Sequence, residues 1–364
     1  MKKFRVGILG ATGMVGQRFV SLLAHHPWFD VVVLAASPRS AGQEYRVAVE
    51  GRWMMTTPIP EAMAALTVLR VEEDIDAITS QVQLVFCALD LEKEKIKEIE
   101  EAYASRGIVV VSNNSAHRWT PDIPMLIPEV NGEHLELIHA QRKARGWTRG
   151  CIVVKPNCSL QSFVPVLHAL RQYGIARVLV STYQALSGAG KTLASWPEMQ
   201  DNVIPFIGGE EEKTEKEPLK IWGRIVGDHV EPATTPLISA TCVRVPVSDG
   251  HLATVSVSFA KKVTSDEIIA AWRQFSNPLT ALKLPFAPEP FITYFSEDNR
   301  PQTNLDRMIG NGMGIAIGRL RPDPLFDWKF VALSHNTIRG AAGGAILIAE
   351  LLVAKEYIHR PLSS

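Results

Sequence analysis

The sequence predicts an α/β protein of two domains, and three observations support this fold class. The chain has 364 residues, which exceeds the size at which a single hydrophobic core usually stops growing. Over residues 1–155, short apolar strands alternate with helical segments, an order that is typical of a parallel sheet. The strand pattern at residues 252–262 instead alternates apolar with polar side chains, which is typical of a sheet with one wetter face.

The N-terminal region is a predicted βαβ unit. Residues 4–10 and 31–37 are apolar strands, and the segment between them has the apolar spacing of a helix. Connections of this kind are almost always right-handed and join parallel strands. Apolar runs at residues 83–89, 107–112 and 151–155 predict further buried strands of the same sheet.

Residues 176–334 are predicted to form a second sheet, antiparallel or mixed. Strand patterns occupy residues 176–188, 240–247, 252–262, 314–321 and 328–334. Between them, Thr264 and Glu267 have the spacing of a capping box and predict a helix start. The chain then ends in one long predicted helix over residues 336–358, whose glycines would allow very close packing against a neighbour.

The charge and composition of the chain limit the possible partners. It has 38 basic and 38 acidic side chains and a formal net charge of zero, so there is no electrostatic reason to expect nucleic acid or an anionic membrane surface. The sequence shows neither a signal peptide nor a run of about 18 apolar residues, and we expect a soluble cytoplasmic protein. The four cysteines do not form a disulfide framework. Because no Cys/His cluster has ligand spacing, we expect no metal.

A glycine-rich turn joins the first strand to the first helix. Gly7, Gly10, Gly13 and Gly16 follow one another at three-residue spacing. Glycines in such a turn let backbone N–H groups approach a pyrophosphate, which the positive end of the helix dipole also favours. Many turns of this kind need glycine only for packing, so the motif alone is a weak indication of dinucleotide binding.

The end of the second strand indicates which dinucleotide would bind. An NAD site usually offers an acid there, whereas this chain has Ser37, Arg39 and Ser40, two hydroxyls and a guanidinium suited to a 2′-phosphate. The residues therefore favour NADP(H). The alternative is that Arg39 is simply a surface arginine.

One cysteine lies where a catalytic thiol would be expected. Cys158 follows the apolar strand at 151–155 and precedes a helical pattern, and a helix N-terminus lowers the pKa of a thiol. Cys87, Cys151 and Cys242 lie within strands and are interpreted as buried thiols. The candidate base for Cys158 is His251, which follows a turn and begins a strand. Taken alone, these residues favour a structural turn histidine over a catalytic one.

Seven motifs, in order along nearly the whole chain, resemble the aspartate-β-semialdehyde dehydrogenase family, in its archaeal and fungal branch. They are GATGMVG (10–16), SNNSAHR (112–118), PNCS (156–159), YQALSGAG (183–190), GGEEEK (208–213), CVRVPVSDGH (242–251) and HNTIRGAAGGAI (335–346). The resemblance implies NADPH-dependent conversion of 4-aspartyl phosphate to L-aspartate 4-semialdehyde, in lysine, threonine and methionine biosynthesis, through a thioester on a cysteine.

The resemblance also assigns catalytic and substrate-binding residues. It implies that Cys158 is the nucleophile and His251 the general acid/base, that Gln184 orients the acyl group, and that Asn157 or the backbone N–H of Cys158 holds the oxyanion. The residues that it places on the substrate are Arg244 for the α-carboxylate, Glu210 for the amino group, with Glu211 and Glu212 left open as neighbours, and Lys213 with Arg118 for the phosphate.

The fold class implied by the resemblance is α/β, with a Rossmann-type dinucleotide-binding domain plus an α+β catalytic/dimerisation domain with a mixed sheet. We expect residues 1–157 with 336–364 to form the first and 158–335 the second, in a homodimer or homotetramer. The expected cofactor-binding residues are Gly10, Thr12, Gly13, Met14, Val15, Ser37, Arg39, Ser40, Leu89, Ser187, Gly188 and Asn336.

Other functions remain possible at this point. A related acyl-CoA reductase of the malonyl-CoA or succinyl-CoA type shares the glycine turn and the SGAG loop (187–190). Its substrate would have no amino group for Glu210 to bind. An N-acetyl-glutamyl-phosphate reductase has an acylated amine, which would not require Glu210 either. A Cys158–His251 hydrolase or acyltransferase would turn over without NADPH, and a non-catalytic NADP sensor would keep its function after Cys158→Ala.

Overall fold

The computed structural model describes residues 3–358. The strands are β1 (Phe4–Leu9), β2 (Phe29–Ala36), β3 (Val68–Arg70), β4 (Leu84–Cys87), β5 (Val109–Ser112), β6 (Cys151–Val154), β7 (Ile175–Gln184), β8 (Arg224–Val226), β9 (His229–Glu231), β10 (Leu237–Arg244), β11 (His251–Phe259), β12 (Ile292–Tyr294), β13 (Ile315–Pro322) and β14 (Trp328–Ser334). The α-helices are α1 (Met14–Leu23), α2 (Tyr45–Ala48), α3 (Glu61–Ala64), α4 (Ile75–Thr79), α5 (Lys93–Ser105), α6 (Pro128–Asn131), α7 (Leu137–Arg145), α8 (Val164–His168), α9 (Glu210–Ile221), α10 (Ser265–Arg273), α11 (Thr303–Asp306) and α12 (Gly343–Ala354).

The first sheet is parallel throughout, as the N-terminal pattern predicts. Its strand order is β3-β2-β1-β4-β5-β6, and every pairing in it runs parallel. The sequence analysis missed β3, an edge strand of three residues with one fully buried side chain. So short a strand has no periodicity to detect.

The second sheet is mixed, which confirms the predicted fold class. Its order is β10-β7-β11-β14-β13-β12. β7 pairs parallel with β10 and antiparallel with β11, and β11 and β13 both pair antiparallel with β14. The predicted capping box is present as well, since Thr264 accepts from the N–H of Glu267 and the Glu267 side chain accepts from Thr264.

One apolar core connects the two sheets. Side chains from β4 and β5 on the first sheet and from β7 and β11 on the second belong to a single cluster with the segment that follows β6. Trp272 of α10 packs in this cluster and donates its indole N–H to the carbonyl of Val166 at 3.1 Å. The segment after β6, which carries Cys158, therefore lies between the two sheets.

The C-terminal segment is less regular than predicted. It forms a π-helical turn over Ile338–Ala342 before α12 begins, so the single long helix expected over 336–358 is wrong in its first turn and last residues. α12 packs in the core on the other face of the first sheet, opposite the connecting segment. The expected domain boundaries stay a prediction, and residues 359–364 lie outside the described part of the chain. No helix within residues 3–358 is both long and apolar enough to cross a membrane.

Candidate active site

The nucleophile candidate lies at the carboxyl end of β6, but the helix that follows is not an α-helix. Cys158–Ser162 is a 3₁₀ segment of 5 residues, and Asn157 caps it by accepting from the Ser159 N–H at 2.8 Å. A short 3₁₀ turn aligns few peptide dipoles. The helix-dipole argument for a low thiol pKa is therefore wrong here.

The charges around Cys158 act in both directions. Burial raises the pKa of the Cys158 thiol, and the Glu210 carboxylate raises it further, whereas Lys155, Arg118 and Arg244 act to lower it. The balance is a thiol pKa above its ordinary value. Cys158 itself is partly exposed, unlike the fully buried strand cysteines.

His251 is in contact with the thiol. Its Nε2 lies 3.4 Å from the Cys158 Sγ, and its Nδ1 accepts a hydrogen bond from the Ala185 N–H at 3.0 Å. Burial, with the nearby Arg244 and His335, lowers the pKa of His251 to about 3. Since Nδ1 accepts, the proton of the neutral ring lies on Nε2 and faces the sulfur.

Glu210 is the centre of a buried polar network at the N-terminus of α9. Asn157 Nδ2 donates to both carboxylate oxygens at 2.9 Å, Gln184 Nε2 donates at 3.2 Å, and Lys213 Nζ donates at 2.8 Å. Burial raises the pKa of Glu210, but Lys213 and the amide hydrogen bonds outweigh it and hold the pKa below its ordinary value. Glu211 instead accepts from the Cys242 N–H of β10. The structure thus brings Glu210, and not Glu211, next to Asn157 and Gln184.

Arg244 lies at the end of β10, against the SGAG loop. Its Nη1 donates to the carbonyl of Ala185 at 2.7 Å. A Cβ on Gly188 would lie 2.9 Å from Arg244 Nη1 and 3.0 Å from His251 Nε2. Only a glycine fits at position 188 without moving one of these two side chains.

Arg118 is held by the backbone after β6 and by a carboxylate of α9. Its Nε donates to the Lys155 carbonyl at 3.0 Å and its Nη1 to Glu217 Oε1 at 2.9 Å. The other Glu217 oxygen accepts from the Asn157 N–H at 2.7 Å. Arg118 therefore stabilises, through Glu217, the turn that carries Cys158. The sequence analysis missed Glu217. The signal for Glu217 was its position seven residues after Glu210, on the same helix face.

All of the predicted cofactor residues except Ser187 and Asn336 line two adjoining clefts beside the glycine turn. The first, of about 470 Å³, is lined by Gly10, Thr12, Gly13, Ser37, Arg39, Ser40 and Leu89, among others. The second, of about 1010 Å³, is lined by Thr12, Gly13, Met14, Val15, Leu89 and Gly188, among others. Gly10 has a φ of +84°, and a Cβ there would overlap the Ala88 carbonyl. This turn thus requires glycine for its conformation and for close packing.

Asn336 and Ser187 join the SGAG loop to the turn before β11. Asn336 Nδ2 donates to Ser187 Oγ at 2.8 Å, and its Oδ1 accepts from the Gly250 N–H at 2.8 Å. The sequence analysis also missed Asn113 and Asn114, which line the larger cleft. Among the residues that the structure describes, no three His, Cys, Asp or Glu side chains form a candidate metal site.

Comparison with known proteins decides the family. The family model "Semialdehyde dehydrogenase, NAD binding domain" matches residues 5–138, and "Semialdehyde dehydrogenase, dimerisation domain" matches residues 167–339. The aspartate-semialdehyde dehydrogenase of Archaeoglobus fulgidus is 44% identical over 98% of this chain and 100% of its own length. The chain belongs to the aspartate-semialdehyde dehydrogenase family.

Further aspartate-semialdehyde dehydrogenases agree with this assignment. That of Schizosaccharomyces pombe is 42% identical over 96% of this chain and 98% of its own length. The crystal structure of the Candida albicans enzyme with NADP has a TM-score of 0.87 and 36% identity, and covers 98% of this chain and 100% of its own. These archaeal and fungal relatives confirm the predicted branch of the aspartate-semialdehyde dehydrogenase family, and they do not favour the acyl-CoA reductase alternative.

Proposed function

We propose that the chain catalyses the reversible, NADPH-dependent reductive dephosphorylation of 4-aspartyl phosphate to L-aspartate 4-semialdehyde, a step in lysine, threonine and methionine biosynthesis. The observation that carries the proposal is the contact between Cys158 and His251 next to Gly188, which also lines the larger cleft beside the glycine turn. A nucleophile, a proton donor and a dinucleotide-sized space therefore meet at one point.

In the proposed reaction the Cys158 thiolate attacks the acyl carbonyl, the bond to the phosphate oxygen breaks, and phosphate leaves. NADPH, when bound, supplies the hydride that reduces the thioester carbon. The oxyanion left by hydride transfer accepts a hydrogen bond from the His251 Nε2–H, and it collapses to the aldehyde as the C–S bond breaks and the Cys158 thiolate leaves. Because the side-chain amide of Asn157 already donates hydrogen bonds to Glu210, we assign the second oxyanion contact to the backbone N–H of Cys158.

The same network offers a binding site for an amino acid. We propose that Arg244 binds the α-carboxylate and that Glu210, whose lowered pKa keeps it ionised, binds the α-ammonium group. Gln184 orients the acyl group and Lys213 contacts the phosphate, with Arg118 held behind them by Glu217. A Vibrio cholerae aspartate semialdehyde dehydrogenase II, 27% identical, with a TM-score of 0.74, has been solved in complex with ASA; it covers 97% of this chain and 99% of its own.

We propose NADP(H) as the cofactor of this chain. Arg39 and Ser37 are exposed at the end of β2 and line the smaller cleft, and the strand ends without an acid there. A guanidinium and a hydroxyl fit a 2′-phosphate, whereas NAD sites usually carry Asp or Glu at this position. The Candida albicans relative was crystallised with NADP.

We propose a homodimer or homotetramer built through the second sheet. Its outer face exposes Leu179, Tyr183 and Leu237, with relative exposures of 42%, 37% and 69%, and the second family model that matches the chain is named a dimerisation domain. The predicted boundaries, 1–157 with 336–364 and 158–335, place this sheet in the catalytic domain. Cytoplasmic location stays a prediction.

Phosphate-dependent reduction of NADP with aspartate semialdehyde tests the function. Arg244→Ala and Glu210→Ala should each raise the KM for the semialdehyde by about 10-fold or more, because each removes a charged contact. The matched control is Glu212→Ala, an exposed residue of the same helix paired with Lys216. If Arg244→Ala and Glu210→Ala both keep a normal KM, the substrate assignment fails even if the enzyme class stands.

A further inference from the structure

A buried lysine lies behind the nucleophile. Lys155, the residue after β6, is 2% exposed. Within residues 3–358 its ammonium makes one hydrogen bond, to the Pro156 carbonyl at 3.4 Å, and no carboxylate lies within ion-pair distance. Burying a lysine without a counter-charge is costly, so its position requires an explanation.

Two buried arginines near Lys155 already have carboxylate partners. Arg118 pairs with Glu217 at 2.9 Å, and Arg339 makes a two-pronged pair with Glu129 at 2.5 and 2.6 Å. Two cations and two carboxylates cancel. Unlike these two arginines, Lys155 has no carboxylate partner among residues 3–358 when it is protonated.

Two glycines of the C-terminal segment pack against Cys158 and Lys155. A Cβ on Gly340 would lie 2.9 Å from the Cβ of Cys158, and a Cβ on Gly344 would lie 2.6 Å from the Cε of Lys155. Gly340 lies in the π-helical turn and Gly344 in the first turn of α12, four residues apart in the chain. The end of the Lys155 side chain and the thiol-bearing carbon thus pack on adjacent turns of the same C-terminal segment.

The thiolate of Cys158 needs such a charge because its other neighbours do not supply one freely. His251 is neutral, and Glu210 is an anion that raises the pKa of the Cys158 thiol. Arg244 is a second positive charge near the sulfur, but it is held by the Ala185 carbonyl and is assigned above to the substrate α-carboxylate, and Arg118 is paired with Glu217. The positive charge of the Lys155 ammonium and the negative charge of the Cys158 thiolate are thus complementary.

We propose that the ammonium group of Lys155 is the counter-charge of the Cys158 thiolate, and that Gly340 and Gly344 hold the two side chains together. Lys155 is then a positioning residue for the reaction, and this inference rests on the proposed function. The charged groups that face Lys155 are Cys158, Arg339, Arg118 and Glu217. Burial lowers the pKa of Lys155 to about 7, with Cys158 acting in the opposite direction.

The pH dependence of Cys158 alkylation tests the inference without turnover. Iodoacetamide labelling is followed by mass spectrometry of the Cys158 peptide in wild type, Lys155→Met, Lys155→Gln and Lys155→Arg. Without the cation, the midpoint of the labelling rate should rise by about one pH unit in the two neutral variants, which is about 10-fold in rate at neutral pH. Lys155→Arg should restore most of the labelling, and kcat should fall in the neutral variants while the KM for the semialdehyde stays constant.

Lys220→Met is the matched control. Lys220 is also buried, but it donates to backbone carbonyls of the segment after β5, so its loss should leave the labelling midpoint of Cys158 unchanged. Thermal melting of every variant separates a folding defect from an electrostatic one. If folded Lys155→Met and Lys155→Gln keep the wild-type midpoint, the proposal is overturned; wild-type phosphate-dependent NADP reduction is measured separately and tests the proposed function.

Discussion

Two strand-to-helix junctions at the carboxyl edge of the same parallel sheet are built in different ways. After β1, the glycine turn leads into an α-helix of 10 residues and opens onto the clefts. After β6, the Pro156-Asn157 turn leads into a 3₁₀ segment of 5 residues that is closed in by Glu210 and Glu217. The first junction presents backbone and a helix dipole to a ligand, whereas the second relies on buried side chains.

This difference shows that position at the end of a strand does not by itself activate a cysteine. The dipole that favours a pyrophosphate at α1 is largely missing at Cys158, and burial raises the thiol pKa there. At Cys158, charged side chains from other segments have to stabilise the anion, as the helix dipole does at the first junction. Substitutions at the two junctions should therefore fail in different ways.

Cys158→Ala should have the largest effect. Removing the sulfur removes the thioester, so turnover should fall by at least about 10⁴-fold, while NADPH binding at the other junction stays normal by fluorescence titration. Cys151→Ala, which changes a buried thiol within β6, is the matched control and should retain activity. Substantial activity in Cys158→Ala would contradict a covalent mechanism.

His251→Asn should reduce kcat by about 10²- to 10³-fold because the Nε2–H that stabilises the oxyanion is lost. It should also change the pH dependence of stability. In wild type, the unfolded chain binds a proton on His251 below pH 6.5 while the folded chain, with its pKa of about 3, does not, so stability falls as pH decreases between these values.

The variant lacks this contribution, and its free energy of unfolding should fall by about 2 kcal/mol less than that of wild type between pH 7 and pH 5. Urea denaturation at both pH values measures the difference. His229→Asn, at an exposed histidine of β9, is the control and should leave both properties unchanged. If the free energy of unfolding falls equally in His251→Asn and wild type between pH 7 and pH 5, the imidazole is not held neutral.

Gly10→Ala should weaken NADPH binding by about 10- to 100-fold and leave the Cys158 labelling rate unchanged. The new Cβ would overlap the Ala88 carbonyl at a positive φ, so the turn must shift. Gly42→Ala separates the two causes, since Gly42 also has a positive φ but no atom within 4 Å of the added Cβ. Similar losses in both variants would mean that backbone strain, and not close approach, explains the effect.

Arg39→Ala should have the smallest effect, an increase of about 10-fold in the KM for NADPH with no change for NADH, because only the 2′-phosphate contact is lost. Steady-state kinetics with both cofactors measure it. Arg46→Ala removes an exposed arginine that pairs with Glu44 in the same half of the chain and should change neither value. Equal losses with NADPH and NADH would remove the basis for NADP preference.

The first junction was more predictable from sequence than the second. Strand, glycine turn and helix follow one another locally, and their periodicities are visible within residues 4–23. Glu217 and Lys155 become meaningful only when α9 and the C-terminal segment pack against the turn after β6. The 3₁₀ geometry at Cys158 depends on the same tertiary contacts, so local propensity gave the wrong type of helix there.

The apolar character of α12 has a consequence for synthesis on the ribosome. Its residues from Gly343 to Leu352 are buried, and they pack against one face of a sheet made from the first half of the chain. That face should stay uncovered until the segment encoding α12 has been translated, so nascent chains should depend on chaperone protection there. Protease digestion of arrested nascent chains, with and without the segment encoding α12, would measure how late this sheet becomes resistant.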